Sequence, residues 1–373
     1  MKKIKFLNRS LGIAVIPIIV CTLIIAYGIT SCIVAQSNEK VFEAYELRIN
    51  GKADSAKIIL EKVLSSDSTN AMAWYELCRT NEHLGMANPR TIKESMDEAL
   101  RCINLAVQND PDNALYLSYK GGVETLQFYL AMQMGNENAV EYLAKLEDTY
   151  KSVFELDPTY YENKLTLIEF FGGLPPEMGG DPEKAEKYAG ELERADMIAG
   201  AKARELLMAE DADYETFWKE IIEKNNKNAD AHQALGRVYL FVGNIDEATI
   251  CYQKAIDLDP SKNDLYLDLG RFYMMMAMQN PALTDSVAPL VEKEFNKFLN
   301  FTPEPKNPMK AWAYSILSMI NRRTGNVEVA DKFLIMAKEL DPFFSPISGK
   351  PGIKLYSPPD VVVHDQGYYL SPF

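Results

Sequence analysis

Histidine, cysteine and basic side chains are all scarce in this 373-residue chain. Three His and five Cys are too few and too scattered for a metal or redox centre. No His-Glu-x-x-His, Gly-x-Ser-x-Gly or Cys-x-x-Cys pattern occurs, so neither an enzyme nor a bound cofactor or metal is expected. Lys and Arg number 39 against 53 Asp and Glu, a net charge of -14. An acid excess of that size repels phosphate backbones and argues against nucleic-acid binding. The hydrophobic share of 47% and charged share of 25% fit a globular protein and argue against disorder, collagen and a polytopic membrane protein. Cys78, Cys102 and Cys251 are an odd set once Cys21 and Cys32 are assigned to the N-terminal segment, so no disulfide framework is indicated. Cys78 and Cys102 can face each other across one helical hairpin, and they read best as two small buried apolar residues.

The first 35 residues differ in kind from the rest. Lys2, Lys3, Lys5 and Arg9 precede 25 uncharged residues, 11–35, whose apolar part has the character of an export segment with its positive end in the cytoplasm. The stretch is nearly long enough to span a bilayer, although Pro17 and Gly28 weaken it as a helix. Ile29-Thr30-Ser31-Cys32 resembles the bacterial lipobox, in which Cys32 becomes the lipidated first residue. Cleavage after Ala35 and retention as a single anchor are the two other outcomes. Each places the remainder outside the cytoplasm, in the periplasm or cell envelope. Removing this segment deepens the net charge to -18.

Repetition dominates the remaining 338 residues. Asp110-Pro111, Asp157-Pro158, Asp259-Pro260 and Asp341-Pro342 each close an amphipathic stretch. Pro158 and Pro260 are 102 residues apart, three periods of 34, and the other gaps of 47 and 82 fit one and two periods with loop insertions. The clearest unit is 229–262. Leu235, Gly236 and Tyr239 fall on one helical stripe of its first half, and Ala248, Tyr252 and Ala255 on one stripe of its second. Gly236 and Ala248 are small where two antiparallel helices touch; Gly243 and Asn244 make the turn, and Pro260 stops the second helix.

These residues resemble the tetratricopeptide repeat. Units 311–344 and 71–113 repeat the scheme, the latter with nine extra residues around Asn88-Pro89. Units 37–70, 114–160 and 263–304 are weaker, and 161–230 holds about two irregular hairpins. The resemblance implies an all-α, right-handed superhelical solenoid of about seven to eight helix-turn-helix repeats over 37–344, followed by an extended tail, 345–373. It also implies a concave face lined by the first helices, whose usual work is to hold peptides or other proteins. By the family's pattern that face carries Tyr75, Arg79, Glu82 and His83 in one unit, and Gln233, Arg237, Leu240 and Phe241 in another. Leu267, Arg271, Met274 and Met275 come next, in the adjoining unit. Arg79, Arg237 and Arg271 occupy equivalent places, with Arg322 and Arg323 about one turn later on their own helix. An arginine row suits carboxylates and an acidic partner, unless each guanidinium bridges to a neighbouring repeat's Asp or Glu.

Two stretches stand apart. Residues 172–182 carry four glycines and three prolines. They match neither nucleotide-binding loop, and Asp181 before Pro182 reads as a helix cap in a shaped hairpin turn. A Pro-x-x-x-Gly-Gly-Asp turn of this kind is similar to one in the helical T-component of periplasmic TRAP-type transporters. The tail is rich in proline and aromatics, too apolar to lie free in water. It is expected to fold back over the last helices, reaching Arg322 and Arg323, with Val361-Val362-Val363 as one short strand. The favoured function is a membrane-tethered extracytoplasmic scaffold binding a protein or peptide in its groove. The alternative is a transporter accessory, or a solute or lipid carrier with an enclosed cavity.

Overall fold

The computed structural model describes residues 37–86, 90, 92–133, 139–343 and 355–362. The export segment with Cys32 and most of the tail lie outside these. The described chain is a succession of helices: α1 (37–49), α2 (Ala53–Ser66), α3 (Ala71–Met86), α4 (Ile92–Asn109), α5 (Ala114–Gln133) and α6 (Ala139–Leu156). Then come α7 (Tyr161–Gly173), α8 (Pro182–Ala195), α9 (Met197–Leu207), α10 (Tyr214–Lys224), α11 (Ala229–Phe241) and α12 (Ile245–Leu258). The last four are α13 (Leu265–Gln279), α14 (Thr284–Leu299), α15 (Asn307–Arg323) and α16 (Val327–Leu340). It is an all-α solenoid, and no strand occurs among the described residues. Val361 and Val362 are exposed and irregular, so the expected tail strand is not formed there.

Local chemistry sets both ends of the repeating hairpins. Asn70, Asn113 and Asn228, each followed by Ala, accept the backbone N–H three residues on and cap α3, α5 and α11. Asp67, Asp157 and Asp259 close second helices, each accepting from the N–H and hydroxyl of a Ser or Thr two residues later. That tight Asx turn is what the Asp-Pro punctuation encodes. Asp341 makes the same local bond to the N–H of Phe343, at 2.9 Å, at the end of α16.

Close contact within hairpins rests on glycines of the first helix. A Cβ at Gly121, Gly236 or Gly270 would stand 2.0–2.4 Å from the ring of Tyr150, Tyr252 or Phe295 on the second. Between α6 and α11 the pattern loosens, because α7 packs on both α8 and α9. The 172–182 turn is a short 3-10 helix, Pro176–Met178, leading to Asp181, which accepts from the Lys184 N–H and caps α8 with Pro182 in its first turn. Cys78, Cys102 and Cys251 are free buried thiols.

The superhelix comes round far enough for its two ends to meet. Gly51, in the α1–α2 turn at φ 74°, abuts the end of α16, where a Cβ would stand 2.0 Å from the Leu340 carbonyl oxygen. Asn307 at the start of α15 donates to Asn50 at 3.2 Å. One continuous core holds Tyr45 and Ile49 of α1, Trp312 and Ile316 of α15, and Leu355 and Tyr356 of the tail. Closure therefore sets α1 against the last hairpin, with the tail between them.

Candidate functional site

Tyr45 and Arg48 stand one turn apart on α1, and Glu76, Arg79 and His83 share one stripe of α3. The carboxylate of Glu76 holds both guanidiniums: Arg48 Nε donates to its Oε1 at 2.6 Å and Arg79 Nε to its Oε2 at 2.9 Å, where Arg79 Nη2 also reaches. All three side chains are fully buried. Buried charges persist only when paired and further hydrogen-bonded, and here the extra partners come from the tail. Arg48 Nη1 donates to the carbonyl of Leu355 at 2.6 Å, Tyr45 Oη to that of Tyr356 at 2.9 Å, and Arg79 Nη1 to that of Ser357 at 2.7 Å. Three donors from two helices thus hold three successive main-chain carbonyls of a turning segment.

Aromatic rings complete the setting. The Arg79 guanidinium lies 4.5 Å from the Tyr75 ring centroid, and both arginines lie 5.9 Å from that of Tyr45. Burial disfavours the charged form of Arg79, but the fields of Glu76, Tyr75 and Tyr119 and the hydrogen bond to Glu76 together outweigh it, so the guanidinium is held more firmly protonated than in water. Burial pushes Glu82 up to about 7, against the hydrogen bond it accepts from Tyr119 and the fields of Arg48 and Arg79. His83 Nε2 lies 2.6 Å from Asp341 Oδ2, tying α3 to the end of α16, and its ring meets that of Tyr356 edge-on at 6.2 Å.

The sequence-predicted groove residues divide into three groups. Tyr75 and Arg79 do stand on a first helix, yet both are buried, Tyr75 against the rings of Tyr116 and Tyr119 and Arg79 against Ser357 of the tail. Gln233, Arg237 and Arg271 are half-buried, and each is already engaged. Arg237 bonds Glu205 at 2.5 Å, Arg271 stands 3.6 Å from Asp268, and Gln233 accepts from Lys262 at 2.8 Å. Lys202 and Lys262 both pair with Asp230, and burial lowers Lys202 to about 8 even so. The arginine row is therefore answered by the molecule's own carboxylates, and its reading as a free receptor for acidic groups is corrected. Met274, Leu240 and Leu267 are core residues; Met275 is half-buried, and Phe241 is 71% exposed at the end of α11. Arg322 pairs with Asp331 at 2.5 Å, and Arg323 is exposed beside it.

The described part of the tail does not run along the last helices toward Arg322 and Arg323. It crosses to α1 and α3, because closure brings them beside α16 and their buried guanidiniums require acceptors. Sequence reasoning missed Tyr45, Arg48 and Glu76. The available signal was a helical stripe of Tyr, Arg and Glu in the weak first unit and its neighbour, facing inward where only apolar residues are comfortable.

The Tetratricopeptide repeat family model matches residues 229–262, the unit whose two helical stripes are clearest. The model for the TRAP transporter T-component matches residues 113–234, from α5 into α11. Among solved structures, the chain is similar to TTC0263, a thermophilic TPR protein of Thermus thermophilus. Identity there is 19%, with 64% of this chain and 99% of that one covered, at a TM-score of 0.37. It is similar to a tetratricopeptide repeat protein from Parabacteroides merdae at 16% identity, covering 82% of this chain and 93% of that one, at a TM-score of 0.33. A third is YrrB, described as a TPR protein with an unusual peptide-binding site, at 18% identity, 59% and 85% coverage and a TM-score of 0.25. No curated protein matches the chain.

Proposed function

We propose that the protein is a TPR-type scaffold of the cell envelope, tethered through its first 35 residues, that holds a short segment of a protein partner against its first helices. The clamp carries this reading. Its three donors address main-chain carbonyls, which every peptide possesses, and a groove that orders residues 355–357 this way serves any segment that can take the same turn and whose side chains fit. The protein works by binding, with no catalytic step.

The test is recovery of crosslinked partners from membranes carrying the full-length protein or its Arg79→Met variant. Partners lost from the variant support the reading; identical recovery from both counts against it. The tether is tested separately. Lipidation at Cys32 requires that Cys32→Ser, or globomycin treatment, leave an unprocessed precursor, whereas a mature N-terminus at Gln36 read by mass spectrometry would refute it.

A second reading, an accessory of a solute transporter, is favoured by the T-component match over 113–234. An open surface pocket of about 340 Å³ lies between α8, α9 and α10 within that stretch, lined by Met197, Ala201, Arg204, Phe217 and Ile221 among others. Native mass spectrometry of protein extracted from membranes distinguishes the two, because a carrier retains a small molecule and a scaffold does not.

A further inference from the structure

Every Ser-Pro dipeptide of the chain lies in the tail, and each follows two large apolar residues. The three are Phe343-Phe344-Ser345-Pro346, Leu355-Tyr356-Ser357-Pro358 and Tyr369-Leu370-Ser371-Pro372. The middle copy is the one seated in the clamp. We infer that the α1–α3 groove is a receptor for the pattern apolar–apolar–Ser–Pro, and that residues 369–372 are a second ligand for it, exchanging with 355–358. This rests on the peptide-binding function proposed for the clamp and adds the sequence that the groove selects.

The seated copy shows what each position contributes. Hydrogen bonds to main-chain carbonyls are blind to sequence, so selection falls to the seated segment's side chains. Leu355 and Tyr356 are each 5% exposed, and both sit in the core shared with α1 and α15. Ser357 is buried, and its hydroxyl lies 3.4 Å from Arg79 Nη1, beside the carbonyl that the same nitrogen holds. Pro358 disfavours helical backbone at Ser357 and brings no N–H that would need a partner in the groove. A two-residue apolar anchor, a small polar residue and a proline are thus what the site asks for.

The second position carries a further clue. The buried hydroxyl of Tyr356 has no hydrogen-bond partner among the described residues. A buried polar group left unsatisfied weakens its own binding. Phe344 and Leu370, the corresponding residues of the other copies, carry no hydroxyl. The pocket therefore suits those copies better at this position than the residue that occupies it. Reach is no obstacle: 25 residues lie between Phe343 and Tyr369, enough chain at about 3.3–3.6 Å per residue to return to the same groove.

The test uses the full-length protein and a synthetic peptide of residues 366–373, labelled at its N-terminus and followed by fluorescence anisotropy. A tethered competitor acts at an effective concentration in the mM range, so unaltered protein should bind the peptide weakly. The double substitution Leu355→Asp and Tyr356→Asp should tighten binding about tenfold or more, and adding Arg79→Met should remove that gain. Tyr356→Phe should do the opposite of opening, weakening the peptide several-fold by seating the tail more firmly. A scrambled peptide bound as tightly by the opened protein overturns the motif while leaving a general peptide clamp. Binding of neither peptide overturns both readings. A second measurement needs no variant: saturating peptide 366–373 should speed amide exchange of residues 355–362 in the unaltered protein, and unchanged exchange there overturns the proposal.

Discussion

Replacing Gly51 with alanine isolates the contact that closes the solenoid. Gly51 has φ 74°, a conformation costing a residue with a Cβ about 1–2 kcal/mol. Its Cβ would also stand 2.0 Å from the Leu340 oxygen, 2.9 Å from that carbonyl carbon and 3.0 Å from Asp341 Cα, all main-chain atoms that cannot rotate away. Relieving such overlap costs about a further 1–3 kcal/mol. Gly243 supplies the control, since it has φ 78° in the α11–α12 turn but nothing within 4 Å of its Cβ. Gly243→Ala should therefore cost only the conformational part, and the difference between the variants measures the closure contact. Repeat arrays lose their units separately, so denaturation midpoints are best paired with hydrogen exchange read along the chain. Gly51→Ala should speed exchange at the end of α16, in α1 and in residues 355–362, with α11 and α12 little affected. Equal costs for the two variants, with unchanged exchange at α16, would show that the ends do not hold each other in solution.

Three other contacts give outcomes that can be measured. Gly236→Ala and Gly270→Ala each force a methyl to within about 2.4 Å of a ring and should destabilise by about 1–3 kcal/mol, measured by urea denaturation; costs below a few tenths would contradict the tight hairpins. Glu82, raised to about 7, keeps in the folded state a proton that the unfolded chain releases above about 4.5, so its contribution to stability falls as pH rises from 4.5 through 7. Glu82→Gln should flatten that slope in melts between pH 5 and 8; because Glu169 is also pushed to about 7 by burial, some slope should persist, and an unchanged one would refute the assignment. Glu76→Gln leaves two buried guanidiniums without a counter-charge, a loss of about 3–5 kcal/mol concentrated at α1 and α3, and a melting temperature within a degree of the parent would refute the clamp geometry.

Much of the fold was legible because its determinants are local. The stripe Leu235, Gly236, Tyr239, the cap at Asn244 and the Asp259 turn lie within one 34-residue period, and sequence order alone brings them together. Asp181 announced its role as a cap in the same way. What stayed hidden depends on residues far apart in sequence. Nothing near Arg237 says that Glu205 of the preceding irregular stretch will take its charge. The family pattern placed Arg79 on the inner face correctly, but its buried state depends on Ser357, 278 residues away. The tail's apolar character showed that it must be covered; only the curvature of the whole array decides by what.

The clamp also has a consequence for how the protein is made. Arg48 and Tyr45 lie near the beginning of the chain, and the carbonyls that satisfy them lie 307 and 311 residues later. Most solenoids grow unit by unit, each docking on the one before. Here the first unit presents a buried cation lacking its full set of acceptors until residues 355–357 have been made and have docked. A nascent or truncated chain keeps that end open and its apolar surface accessible to chaperones and proteases. Residues 355–357 therefore complete a hairpin that begins hundreds of residues earlier, and the first unit of the array is finished only by its last described segment.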